Sequence, residues 1–546
     1  MLIDFTIVAS LEAIPDEAGP YFIDTETIGL YGKVRLLQIY NSTFNKVYII
    51  DLDIANGDII EQFKTWIEDK VIVFYNAMYD LEVLNICCDD IDANQVHDVL
   101  FLAKLHKPGL QKYSLDIVAE FFNVNYYGDL NKKSLQTSDF TGILTGDQYL
   151  YAATDVVVLH ALWEITKSEV NNSAYKLNMK SMLYALKYAR NGIPVDLLEV
   201  KRLHEEYCIK RDEIATQLGS LNVNSPKQCK EALGTNSSNE ETLIQLKSEG
   251  NKLAELIYSQ RRIMKRITLL ESYMHTRVYT RFNVAGAVSG RFTASGQNVK
   301  NGINSQQIPR DLKYVFKNVI TDKKVIEADY STLELRLAAA MYGDRYMRQQ
   351  LVNGEDLHTS MAQQMTGRKN ITKAERTEAK AINFGFVFGM SAKSFVDYAF
   401  LNYGVKFTYD EAKRIRSKYF AMYRDLAQLH RFIWENYNKP NFYVSTALGW
   451  RVKPKLGTDA INIPIQGTGA ECTKLAIHIL HHKDPTALNK LVNVVHDSIK
   501  LEVEADRVDY YKQLLEQSML EAWAELCKTT AFKFKDIPML VDSEIL

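Results

Sequence analysis

Residues 376–389 read RTEAKAINFGFVFG, so Arg376, Lys380, Phe384 and Phe388 recur every four positions. On a helix they form one slowly drifting stripe. Two cations followed by two aromatics suit a ligand with a polyphosphate at one end and a flat base at the other. An amphipathic helix with a Phe core and a solvated basic end would show the same stripe, so the flanking segments decide. Upstream lies VIEADYSTLELR (325–336) and downstream LVNVVHDSIKLEV (491–503). Each sets an acid, Asp329 or Asp497, at the end of an apolar run, where a buried strand delivers a carboxylate to a cleft. Two such carboxylates and a pair of divalent ions, facing a triphosphate-binding helix, make a nucleotidyl-transfer site.

The first third carries a second acidic set. PYFIDTETIGL (20–30) is an apolar strand in which Asp24 and Glu26 share one face. FYNAMYDLEVL (74–84) places Asp80 after Asn76 and Tyr79, and YLYAATDVVVLH (149–160) sets Tyr151 and Asp155 one helical turn apart. Asp24, Glu26, Asp80 and Asp155 together could hold two divalent ions, with Tyr151 orienting a water that hydrolyses a phosphodiester in line. Acids at strand ends are usually solvated and D-x-E is frequent. The complete set in order favours an active site.

These residues need a large framework. The 546 residues allow two to four domains with ample core, and 47% apolar with 24% charged residues is ordinary for a globular chain. The longest apolar runs are too short for a membrane span. MLIDFTIVASLEAIPDEAG lacks the early cations of a secretory signal. Six cysteines without a C-x-x-C fit a reducing cytoplasm, or a host's cytoplasm if the gene is a phage's. The net charge of −2 hides an asymmetry: residues 1–170 carry 11 Lys/Arg against 26 Asp/Glu, leaving the rest at +13. Residues 251–316 hold 11 basic and 3 acidic residues. Such a strip neutralises phosphates along a duplex, although QRRIMKR (260–266) would also serve as a solvated helix face.

In their order and spacing these segments resemble DNA polymerase family A over nearly the whole chain. DYSTLELR resembles the first carboxylate motif, R-x3-K-x3-F-x3-F-G the nucleotide helix and VHDS the second carboxylate motif. NIPIQGTGAECTK (462–474) is similar to the N-x3-QG-x2-A segment, and SGRFTASGQNVKNGINSQQIPR (289–310) to the segment that holds the primer terminus. The acids of the first third resemble the DEDDy class of 3′–5′ exonucleases. The resemblance implies an α/β and α+β multidomain fold: a ribonuclease H-like exonuclease domain, then a right-hand polymerase. The expected divisions are exonuclease 1–170, thumb and linker helices 171–285, first palm part 286–339, fingers 340–440 and second palm part 441–546. G-I-P-V-D (192–196) and LNVNSPKQCKEAL (221–233) resemble the thumb, with Ser225 an N-cap, Pro226 at the first helical position and SSNEET (237–242) its most loop-like patch.

The same resemblance implies roles. Asp329 and Asp497 ligate two Mg2+ ions per active site, with Mn2+ able to substitute, and the Tyr330 carbonyl joins them. Lys380 neutralises and protonates leaving pyrophosphate, Arg376 holds the outer phosphates, and Phe384 and Phe388 border the nucleotide. Glu334 is the steric gate against a ribose 2′-OH. Arg291 and Gln466 donate to minor-groove acceptors common to all correct pairs. Asn304, Gln306, Asn462 and His496 add primer and template contacts. Asp98 is a structural cap or ion-pair residue, and His358 is either a core or capping residue or a phosphate contact. Two departures stand out: Phe388 and Ser498 occupy positions where the family usually has Tyr and Glu. The implied activity is template-directed addition of deoxynucleotides with 3′–5′ proofreading, replicative in role, by a monomer with primer–template DNA and deoxynucleoside triphosphates as partners. A helicase, primase or single-strand-binding protein would be accessory. The chain's size suggests a phage or plasmid replicase. A single-subunit RNA polymerase would share the hand but lack the Glu gate and the nuclease set; a non-catalytic DNA-binding module would lack the intact Asp329, Lys380 and Asp497; a lone ribonuclease D-type exonuclease would explain only the first third.

Overall fold

The computed structural model describes residues 3–44, 46–124, 131–319 and 321–546. The first third is a six-stranded mixed sheet of β1 (Phe5–Val8), β2 (Tyr21–Thr27), β3 (Val34–Tyr40), β4 (Val47–Asp51), β5 (Ile72–Phe74) and β6 (Val96–Asp98). Their spatial order is β1-β4-β3-β2-β5-β6. Antiparallel β2–β3–β4 are flanked by parallel β5, β6 and β1. A parallel neighbour needs a crossover, which the helix Ala77–Val83 supplies between β5 and β6. The helix Gly146–Thr166 starts at a capping box, Thr145 with Gln148, and buries most of its length against this sheet. Arg35, buried on the interior strand β3, pairs with Asp51 at 2.7 Å and donates to the carbonyls of Phe140 and Gly142, tying down the loop before that helix.

The middle of the chain is helical. Leu197–Leu218 and Lys252–Ser272 pack together, and Pro226–Leu233 starts where expected, with Ser225 accepting from the Gln228 N–H. A small core of Val223, Cys229, Leu243, Ala254 and Ile257 closes its tip. One expectation needs correction. The segment 237–242 is not all loop: Glu240–Ser248 is a helix, because Asn239 caps it at Thr242 and Glu240 and Glu241 favour its positive end. After Gly192 (φ +66), Ile193–Pro194 pairs with Arg277–Val278, and Asp196 caps the helix that follows.

The second sheet is antiparallel, ordered Leu491–Val495, Ser498–Glu504, Lys323–Tyr330 and Val541–Ile545. The helices Gly457–Lys483 and Val508–Cys527 pack together beside it, the latter against the strands themselves. Between its strands in sequence lie the helices Arg345–Val352, Leu357–Thr366, Lys373–Val387, Ala392–Tyr403, Tyr409–Met422 and Arg424–Asn436. The two halves are pinned by Arg281 to Glu82 at 2.7 Å and by Arg451 to the Leu105 carbonyl at 2.7 Å.

Candidate functional site

In the first sheet, β2 presents Asp24 and Glu26 toward the helix carrying Tyr151 and Asp155. Carboxylate oxygens of Asp24, Glu26 and Asp155 lie within 4.8 Å of one another. Asp80 stands next to this trio, with one oxygen accepting from Thr25 Oγ1 at 2.7 Å. Its helix follows a left-handed Asn76 (φ +66), held by Asp98 Oδ1 accepting from the Asn76 N–H at 2.9 Å. Asp98 also accepts from the Ala77 and Leu100 N–H groups, so it is a structural cap. All four acids and Tyr151 line one cavity of about 700 Å³. Burial first, then the charges of Asp80 and Asp155, holds Asp24 and Glu26 well above the usual carboxylate range. Burial pushes Asp80 up to about 8. Burial and the charge of Asp155 also raise the Tyr151 phenol. Lys132, which the sequence reading did not single out, reaches Asp155 at 3.8 Å. Four acids and one nearby lysine leave an uncompensated negative pocket, which suits a pair of divalent cations.

A raised acid binds a proton in the folded protein that the unfolded chain releases, so its contribution to stability falls as pH rises between the unfolded value, near 4, and the folded one. For Asp80 that window ends at about 8. In chelator-treated protein, Asp80→Asn is therefore expected to raise Tm by an amount that grows from pH 5 to pH 8. Calorimetry at the two pH values checks this; a pH-independent gain contradicts it.

In the second sheet, Asp329 is the penultimate residue of its strand, directly opposite Ser498. Asp497 lies in the two-residue turn between paired Val495 and Ser498, after left-handed His496 (φ +57). Desolvation in the cleft, then the charges of Asp497 and Glu327, push Asp329 up to about 7. Asp497 is raised too, by burial. Thr332, three residues after Asp329, is left-handed (φ +53), a costly conformation for a β-branched residue that turns the strand into the helix bearing Glu334.

The stripe of Arg376, Lys380 and Phe384 lies on Lys373–Val387, whose capping box is Thr372 with Glu375, and Phe388 is its C-cap. The Phe core of the amphipathic alternative is Phe386, fully buried on Phe395 and Tyr419; Phe384 and Phe388 stay partly exposed, their ring centroids 6.4 Å apart. Arg376 pairs with Asp356 at 2.6 Å. Asp356 also caps the preceding helix, Leu357–Thr366. His358 is buried 2.9 Å from Asn383 Nδ2 and packs on Phe384. Lys380 is lowered by burial and by Arg310, a cation missed at the end of the segment 289–310.

Arg291 and Glu334, read separately from sequence, are 2.6 Å apart. His496 feels both. Gln466 neighbours Gly467, where a Cβ would lie 2.5 Å from the Ser289 carbonyl, so only glycine lets this helix approach the Arg291 loop so closely. Asn462 Oδ1 is buried without a hydrogen-bond partner. Asn304 caps a short turn at Gln306, and the Gln306 amide donates to the Phe292 carbonyl; both are occupied structurally. Tyr330 turns its hydroxyl to the Met519 carbonyl. The basic strip is less free than its composition implies. Arg261 is spent on the Val223 carbonyl inside the helical tip, and Arg266, Arg277 and Arg281 pair with Asp311, Glu502 and Glu82. Arg262 and Lys265 remain on a cavity of about 700 Å³ that also includes Gln307 and Pro309.

A nuclease-type carboxylate pocket on a mixed sheet, followed by a second carboxylate pair on an antiparallel sheet beside a cationic helix, defines a two-site nucleic-acid enzyme of the right-hand polymerase class. The family model for DNA polymerase family A matches residues 199–545 and that for 3′–5′ exonuclease residues 7–171. DNA polymerase I of Aquifex aeolicus is 32% identical over 97% of this chain and 96% of its own length. That of Bacillus subtilis is 25% identical over 91% of this chain and 59% of its own. The fold matches, at TM-score 0.77 and 19% identity over 96% of this chain and 95% of the other, a structure titled POL domain of Pol1 from M. smegmatis complex with DNA primer-template and dNTP. The chain belongs to DNA polymerase family A: it is a DNA-directed DNA polymerase with a 3′–5′ exonuclease, both activities metal-dependent. A bacterial relative of matching length shows that short length is no mark of phage origin. Among the described residues no helix is long and apolar enough to cross a membrane.

Proposed function

We propose that the chain extends a primer on template DNA at Asp329 and Asp497 and shortens it at Asp24, Glu26, Asp80 and Asp155, each set holding two Mg2+ ions. The observation that carries this is the closeness of Asp329 to Asp497, which hangs in the turn next to Asp329's strand partner Ser498 and whose charge raises Asp329, with the Arg291–Glu334 ion pair beside His496. Bound Mg2+ supplies Lewis-acid stabilisation at both sites. Arg376 grips the outer phosphates and Lys380 delivers charge or a proton to departing pyrophosphate. Arg291, Gln466 and Asn462 face the minor groove of the new pair, and Arg262 and Lys265 the duplex phosphates. Tyr151 orients the water of the nuclease step. Primer extension on a labelled hairpin, with and without deoxynucleotides and Mg2+, tests the whole reading: growth with nucleotides and shortening without them are expected, and loss of either activity from pure protein contradicts it.

Glu334 crowds the sugar C2′. Phe388 has no hydroxyl to steady it; Tyr398 on the neighbouring helix feels the Glu334 charge and packs its ring 3.8 Å from the Cβ position of Gly385. Glu334→Ala is expected to lower the deoxy- to ribonucleotide ratio of kcat/KM by about tenfold or more; an unchanged ratio removes Glu334 from the sugar site. The Phe384 ring offers no hydrogen bond to a nucleotide lacking its 3′-OH. The enzyme is therefore expected to discriminate against dideoxynucleotides, and Phe384→Tyr to remove most of the preference. Chain-termination assays in an exonuclease-deficient background decide; equal termination by both proteins makes Phe384 a packing residue.

A further inference from the structure

Asp329 does not stand alone on its strand. Glu327, two residues earlier and therefore on the same sheet face, is 7% exposed and uses both carboxylate oxygens. Its Oε1 accepts from Ser498 Oγ at 2.7 Å and lies 3.4 Å from Lys313 Nζ; its Oε2 pairs with Lys500 at 2.7 Å. Ser498 and Lys500 are themselves 3% and 4% exposed. Register sets Ser498 opposite Asp329 and Lys500 opposite Glu327, so these four residues form one patch of one sheet face. Burying this ionic cluster is costly, and apolar residues of similar volume would often serve stability as well. Its position explains its presence better. Ser498 is the residue immediately after Asp497, which hangs in a two-residue turn behind left-handed His496. The diagonal Ser498–Glu327 hydrogen bond therefore ties the end of that turn to the strand that carries Asp329.

We propose that Glu327 is a positioning residue of the polymerase site: by holding Ser498 it fixes Asp497 against Asp329, and it supplies from the neighbouring strand the extra carboxylate that Ser498 lacks. This rests on the assignment of Asp329 and Asp497 to the polymerase site. Glu327 and Ser498 then form an exchangeable pair, because a carboxylate on either strand can meet a hydroxyl on the other.

The test compares Glu327→Ser, Ser498→Glu and the double exchange, in full-length protein. Each single variant is expected to lose about tenfold in extension kcat with little change in the deoxynucleotide KM, since contacting residues couple at this level. The exchange is expected to recover to within about threefold of the parent, and Mn2+ affinity by electron paramagnetic resonance should follow the same order. Degradation of single-stranded DNA reports that each protein is folded. Should Glu327→Ser not fold, Ser498→Ala keeps both lysine pairs and removes only the hydroxyl; it is expected to lower kcat several-fold with Tm unchanged. An exchange no better than the weaker single variant, or Ser498→Ala extending at the parental rate, overturns the proposal. Asp497→Ala in parallel separates this from the underlying assignment: an inactive Asp497→Ala beside a fully active Ser498→Ala rejects the positioning role alone, and an active Asp497→Ala rejects the assignment.

Discussion

Asp329→Ala or Asp497→Ala is expected to lower primer extension on the order of 10³-fold or more while 3′ degradation continues at its parental rate. Groups that act as one unit fail together, and these two carboxylates are neighbours, Asp329 on its strand and Asp497 in the turn beside its strand partner Ser498, each raised by desolvation. The acids proposed for degradation sit on other elements: β2, the helix after Asn76 and Gly146–Thr166. Single-turnover extension and single-strand degradation on the same preparations check the division. Loss of both activities in a folded variant would mean that the sites are not independent.

The double substitution Asp24→Ala with Glu26→Ala is expected to remove 3′–5′ degradation to a comparable extent, raise the misincorporation frequency and keep extension. Asp24, Glu26 and Asp155 converge within 4.8 Å, and removing two of the three leaves too few oxygens to hold a pair of divalent cations. The substitutions should also relieve repulsion in the metal-free pocket, because burial and neighbouring acids already hold both carboxyls far above their ordinary range. Expected, then, is a Tm in chelator at or above the parent's. Persistent degradation of single strands by the double variant would sink the nuclease assignment.

The sequence alone carried what short-range geometry dictates. Asp24 with Glu26 on one strand face, Tyr151 with Asp155 one turn apart, and the four-residue stripe from Arg376 all follow from backbone periods of two and 3.6. The cap at Ser225 was legible for the same reason, since a cap reaches only two or three residues along the chain. The Arg291–Glu334 pair joins residues 43 positions apart, and the Ser498–Glu327 bond joins residues 171 apart. Periodicity says which face a residue occupies and nothing about what arrives there from elsewhere. Composition likewise counted Arg261, Arg277 and Arg281 as DNA-facing charge, whereas folding spends them on Val223, Glu502 and Glu82. Lys132, Arg310 and Tyr398 carry no local signature, and only closure of the sheets and helices around them sets their charges and rings beside Asp155, Lys380 and Glu334.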